Sequence, residues 1–260
     1  MAAEKPLRER GGMMSNTSAE NLLLQTQGLN AWYGAAQILF DVSLNVGRGE
    51  VVALMGRNGA GKSSTLKAIM GMMPKRSGKI EFLGRDISQA QPYQVARQGL
   101  GFVPEDRRIF SDLTVLENLS VGKQASRHFQ DGSPVPYWTH EKIFSLFPNL
   151  GEMQNRQGAR MSGGEQQMLT VARTLMGNPL LVLLDEPSEG VAPVIVEQMA
   201  DMILTLKAEG VSILLSEQNL HFAQWVSDRA YVLEKGQIRH ESSMHALTEN
   251  EEIRRNYLSV

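Results

Sequence analysis

Gly56-Arg57-Asn58-Gly59-Ala60-Gly61-Lys62-Ser63 is the stretch on which the fold of this 260-residue chain turns. It fits the pattern G-x-x-x-x-G-K-[ST] in full, and its surroundings match. Val51 to Met55, just before it, is apolar at every position, as a strand buried on both faces should be. Lys62 to Met70, just after it, reads as a helix ended by Gly71 and Pro74. Between such a strand and helix, glycines let the backbone curl so that successive N–H groups converge on an anion. The positive end of the helix adds to that field. The chemistry expected is nucleotide binding, with Gly56, Asn58, Gly59, Ala60 and Gly61 forming the cradle. Lys62 reaches the β- and γ-phosphates, Ser63 ligates Mg²⁺ and Ser64 gives a further phosphate contact. The plainer alternative is a glycine-rich turn with a surface lysine.

Working outward, strands are expected from Leu22 to Leu24, Ile38 to Val46, Lys79 to Leu83 and Leu100 to Val103. From about residue 106 to 160 helical signals dominate, among them the capping box Thr114-x-x-Glu117, with a loop at Gly132 to Pro136. This segment reads as an inserted helical subdomain. Helix and strand then alternate through Gly164 to Met176, Leu180 to Leu184, Val194 to Leu206 and Val211 to Leu215. That alternation predicts an α/β fold with parallel strands covered by helices on both faces. The tail from Ser242 is charged and reads as helical, and residues 1–20 read as a disordered extension.

A second acid-bearing element follows. Leu180 to Leu184 is an apolar strand that ends in Asp185 and Glu186. Ligands of open α/β sheets sit outside the carboxyl ends of strands, where the phosphate loop also lies. Asp185 is placed to order a Mg²⁺ shell, and Glu186 to take a proton from attacking water. Taken alone, the pair is equally a strand emerging into solvent. Ser162-Gly163-Gly164-Glu165 opens the next helix. It is a capping box in its own right, yet two glycines in a first helical turn cost about 1 kcal/mol each against alanine. They suit a backbone that must approach a phosphate closely.

Bulk properties narrow the classes. A formal charge of −2 provides no basic field for nucleic acid, and the absence of cysteine excludes disulfides and thiolate metal sites. No apolar run approaches the ~20 residues needed to cross a bilayer.

Met161 to Gln167, together with the phosphate loop and the Asp185–Glu186 pair, resembles the signature of ABC ATPases across nearly all of residues 22–260. The resemblance implies a RecA-like P-loop NTPase core with a mainly parallel sheet, an antiparallel β subdomain and the inserted helical subdomain. It implies ATP hydrolysis at a dimer interface, with Ser162, Gly163, Gly164 and Glu165 closing on the γ-phosphate of ATP held by the other subunit. Tyr33 falls where the family stacks an aromatic on adenine, with Trp32 as its competitor. Glu105 falls where a glutamine usually senses the γ-phosphate and touches membrane subunits. It hydrogen-bonds a metal-bound water there, or it is simply a charged loop residue. Gln218 replaces the usual histidine, so it positions phosphate but carries no proton. Ala192 replaces the aspartate of the loop that crosses between subunits.

The chain also resembles one ATPase of the branched-chain amino acid uptake systems. The residues that carry this are Glu217 to Asn219, Ser162 to Gln167, Gly190 to Pro193, Pro104 to Phe110 and the ending Ile253-Arg254-Arg255-Asn256-Tyr257-Leu258. Glu189 departs from that pattern, where leucine is usual. The partners implied are a second ABC ATPase, identical or homologous, and integral membrane permease subunits. A periplasmic solute-binding protein is implied indirectly. The place of work implied is the inner face of the cell membrane. Relatives in the same branch serve urea, amides or aromatic acids.

Overall fold

A computed structural model describes residues 21–129 and 131–258. The expected extension at 1–20 lies outside the described residues. Among those described, the strands are β1 (Leu22–Tyr33), β2 (Ala36–Gly47), β3 (Val51–Met55), β4 (Lys75–Phe82) and β5 (Arg85–Asp86). They continue with β6 (Leu100–Val103), β7 (Leu181–Asp185), β8 (Ser212–Glu217), β9 (Arg229–Glu234) and β10 (Gln237–Ser243). The helices that matter below are α1 (Lys62–Ile69), α2 (Pro92–Arg97), α3 (Val115–Gly122), α4 (His140–Leu146) and α5 (Pro148–Glu152). After them come α6 (Gly163–Leu175), α7 (Pro193–Ala208), α8 (Leu220–Val226) and α9 (Met244–Glu249).

Six strands form the central sheet in the order β10-β9-β3-β8-β7-β6, parallel except for β10. Every residue of β3, β7 and β8 is buried, which explains their unbroken apolar runs. Val52, Leu54, Leu181 and Leu183 pack one face against Leu66 and Ile69 of α1 and against the second, antiparallel sheet, β2-β1-β4-β5. Val51, Val182, Leu184 and Ile213 pack the other face against α6 and α7, with Val115 and Leu119 of α3 behind.

Residues 106–160 form the helical subdomain expected from sequence, with the loop expected at Gly132 to Pro136 running longer. They contain α3, α4 and α5, but the described residues among 124–139 carry neither helix nor strand. Gly132, Pro134 and Pro136 deny this stretch a helix. It is held instead by polar ties and buried rings. The Arg48 guanidinium lies 3.6 Å from the Phe129 ring centre, Asn178 Nδ2 donates to the Gln124 carbonyl (2.8 Å), and Trp138 is buried. The tail also differs from its expected form, since Ser242 and Ser243 complete β10 before α9 begins.

Candidate active site

Register brings the site residues together. In β3, Met55 pairs with Glu217 of β8, and Ser216 of β8 pairs with Asp185 of β7. The phosphate loop, the acidic pair and the residues before Gln218 therefore leave three adjacent strands at the same edge of the sheet.

The loop between β3 and α1 is shaped by its surroundings. A Cβ at Gly56 would run into the Leu233 carbonyl. Gly61 caps α1 at φ +108°, a conformation that favours glycine. The Lys62 ammonium is buried inside the loop, donating to the carbonyls of Gly56 (2.8 Å) and Arg57 (3.2 Å). It also lies 3.0 Å from Oε1 of Glu186, itself buried. The loop cation and the acid after β7 thus meet at one point. Removing one member of such a buried pair costs about 3–5 kcal/mol, because the survivor is left uncompensated.

Glu186 sits at φ +47°, the left-handed region, at a cost of about 1–2 kcal/mol for a residue with a Cβ. Its N–H donates to the Ser216 carbonyl (3.1 Å), which fixes that turn. Asp185 accepts from Ser216 Oγ (2.7 Å), and a hydrogen bond from Ser63 reaches it as well. Burial nevertheless pushes its carboxyl up from the usual range. Ser63 and Asp185 are an all-oxygen pair of hard donors, the chemistry Mg²⁺ prefers. Glu105 lies on the loop after β6, where its charge acts on Glu189. It is exposed, and no cluster of three His, Asp or Glu able to hold a metal is found among the described residues.

Gln218 is tied through its N–H to Glu217 Oε1 (2.8 Å). Glu217 also accepts from Asn219 N (2.9 Å) and Ser188 Oγ (2.7 Å), and burial still pushes it up. The Glu189 carboxyl hydrogen-bonds Glu186 and is crowded by Glu105 and Glu217, which pushes it up to about 7. Ser216, Ser188 and Glu217 were not singled out from sequence as site residues. Their roles depend on strand register, which no local pattern reveals.

Tyr33 and Trp32 are distinguished by their surroundings. Lys75 Nζ stands 4.8 Å from the Trp32 ring centre, whereas Tyr33, at the β1–β2 turn, is 48% exposed. Its ring is the one open to a flat ligand.

Ser162 caps α6, accepting from Glu165 N (3.3 Å), while its own N–H donates to Glu165 Oε2 (2.7 Å). The capping box is real. The glycines have an additional, internal reason: a Cβ on Gly163 would stand 2.8 Å from Arg107 Nη1, and one on Gly164 2.8 Å from Ile195 Cγ1. Among the described residues, no hydrogen bond or ion pair links Ser162–Glu165 to the phosphate loop or to Glu186.

The family model that describes the ABC transporter matches residues 39–189, more than half of the chain. The chain belongs to the ABC transporter family, and it is an ATPase of that family. It is 42% identical over 236 residues to BraG of Pseudomonas aeruginosa, a high-affinity branched-chain amino acid transport ATP-binding protein. That match covers 91% of this chain and 99% of BraG. It is 32% identical to LptB of Haemophilus influenzae, a lipopolysaccharide export system ATP-binding protein, over 91% of this chain and 97% of LptB. Among solved structures it is similar to the ADP conformation of MJ1267, an ATP-binding cassette of an ABC transporter. There the TM-score is 0.74 at 28% identity, covering 90% of this chain and 97% of that one. The expected fold and the expected ATPase activity both hold. No described helix of this ATPase is long and apolar enough to cross a membrane.

Proposed function

We propose that this chain powers an importer of branched-chain amino acids from the inner, cytoplasmic face of the cell membrane. Integral membrane permease subunits hold it there, and a periplasmic solute-binding protein delivers cargo that the ATPase never touches. The observation that carries the reading is the convergence of Lys62 and Glu186, 3.0 Å apart, where β3 and β7 end. The higher identity to BraG than to LptB favours amino acid import over lipid export.

On this reading ATP lies along Gly56–Ser64 with its adenine on Tyr33, and Lys62 turns from the loop carbonyls to the β- and γ-phosphates. Mg²⁺, held by Ser63 and Asp185, supplies charge neutralisation at the phosphates. Glu186 accepts a proton from the water that attacks the γ-phosphorus, and Gln218 positions that phosphate through its amide. Ser162 to Glu165 of a second ATPase subunit close on the γ-phosphate, so two chains are needed for one active site. ATP binds the closed pair better than the open one, which gives the switch its differential affinity.

The permease side is a cavity of about 570 Å³ between α2 and β6 on one bank and α3 and α6 on the other. Tyr93, Phe110 and Val121 are exposed there beside Arg97, Arg127 and Arg173. It adjoins the loop that bears Glu105, so movement at the phosphates has a short route to the membrane subunits.

The test uses Glu186→Gln in the assembled transporter. Hydrolysis is expected to fall at least ~100-fold, the usual worth of a general base, with ATP trapped between paired subunits. Undiminished turnover, or a variant that never retains nucleotide, refutes the reading. Uptake of labelled leucine by cells carrying the same variant tests the cargo.

A further inference from the structure

The phosphate loop is braced from behind by parts of the chain far from it in sequence. The Leu233 carbonyl abuts Gly56, and the Gly236 N–H donates to the Ala60 carbonyl (2.8 Å). The last described residues also reach it. Arg57 Nη2 donates to the Arg255 carbonyl (3.4 Å) from the wide, π-helical turn Arg254–Leu258. Leu258 is buried in a cluster with Met55, the residue immediately before the loop, and Tyr257 packs against that cluster. Between the arc Arg57–Ala60 and the wall made by Leu233, Glu234, Lys235 and Tyr257 lies a cavity of about 280 Å³.

The loop is therefore not packed solidly along its outer side. Lys62 ties the Gly56 and Arg57 carbonyls from inside, and on the outer side two polar ties and the Tyr257 wall limit a segment whose glycines favour conformational freedom. A cradle must be ordered to present its N–H groups to phosphates, and that ordering is subtracted from affinity unless it is done beforehand. The ending Arg254-Arg255-Asn256-Tyr257-Leu258, which hydrolysis itself does not use, stands where it can do this.

We propose that the C-terminal turn, through Tyr257, is a positioning element of the phosphate loop that preorganises it for nucleotide. The inference rests on the nucleotide-binding reading above. Tyr257 touches no reacting atom, so its effect is on affinity for ATP and not on the hydrolytic step.

The test compares full-length Tyr257→Ala and Tyr257→Phe with the unaltered protein, using a fluorescent ATP analogue with Mg²⁺. Each protein's ligand-free Tm and the ATPase of the assembled transporter are measured alongside. Tyr257→Ala is expected to raise Kd and KM about fivefold, because the packing of its ring on the cluster that holds Met55 is lost, with kcat at saturating ATP within about twofold. Tyr257→Phe keeps the ring and should bind as the unaltered protein does. Unchanged Kd in Tyr257→Ala overturns the proposal, and so does Tyr257→Phe binding as weakly as Tyr257→Ala. A loss of affinity that comes with a fall in ligand-free Tm of more than about 5 °C marks a merely structural role and overturns it too. Failure of the unaltered protein to bind the analogue sinks the nucleotide reading as well, which separates the two.

Discussion

Replacing Glu189 with glutamine is expected to stabilise the ligand-free protein above neutral pH and to change little near pH 5. The Glu189 N–H donates to the Glu186 carbonyl (3.1 Å), and its carboxyl hydrogen-bonds that of Glu186. The hydrogen bond to Glu186, partial burial and the charges of Glu186, Glu105 and Glu217 raise it from 4.5 to about 7. Between those two values the unfolded chain has released the proton while the folded chain still holds it. The folded state binds more protons there, so stability falls as pH rises through this window and is flat above it. At 1.36 kcal/mol per pH unit the rise corresponds to roughly 3.4 kcal/mol. Glu189 is exposed, so solvent screening reduces this to about 1 kcal/mol. Glutamine keeps the shape and removes the titration. The difference in Tm between Glu189→Gln and the unaltered protein should grow from near zero at pH 5 to about 2–4 °C at pH 8. Calorimetry with chelator and without nucleotide measures it, on either side of the pI of 6.2. Asp185 and Glu217 are raised in both proteins, so their shares largely cancel in the difference. A difference that is constant with pH, or that shrinks toward pH 8, refutes the reasoning.

Gly164→Ala places a methyl 2.8 Å from Ile195 Cγ1 and 3.0 Å from its Cδ1. Crowding of about 1–3 kcal/mol outweighs the ~1 kcal/mol helix gain of alanine, and adding Ile195→Ala should restore stability in urea denaturation. Ser216→Ala removes the buried 2.7 Å donor to Asp185 and should cost about 1–3 kcal/mol in the same assay, with hydrolysis lowered as the Asp185 carboxyl is freed to rotate.

The elements with a local signature were legible in the sequence. β3, β7 and β8 announce themselves as short apolar runs, because both of their faces are covered. The loop before α1 carries its own motif, and Thr114 and Ser162 mark their helix starts by capping boxes that the structure contains. Other parts were not legible. β9 opens with Arg229, a charge at a buried position, and only the structure shows why it fits: Glu50 lies 2.6 Å away and Glu241 3.1 Å away. β10 alternates polar residues along an outer strand, and α8 is only seven residues long, too short to show a period. Residues 124–139 have composition but no periodicity, so their path depends on contacts with Arg48 and Asn178, distant in sequence. The same holds at the candidate site. Lys62, Asp185 and Glu186 are readable from neighbours in sequence, whereas Ser216 and Glu217 acquire meaning from register across three strands.

That register concentrates negative charge. Asp185, Glu186, Glu189 and Glu217 emerge together, Glu105 adds its field, and Lys62 is the cation ion-paired within this group among the described residues. Two departures from the usual family pattern deepen the imbalance, since Glu105 is an acid and Gln218 cannot become cationic. A polyphosphate is itself strongly anionic. Lys67 also acts on Asp185 through its charge, and on the proposed reading the rest of the compensating charge comes from groups that are not side chains of this chain. They are the N–H groups of the loop, the positive end of α1, the divalent cation and the N-terminus of α6 from a second subunit. The last of these arrives only on assembly. On that reading, electrostatics favours the closed pair as the state in which ATP is best held and lets γ-phosphate loss release it.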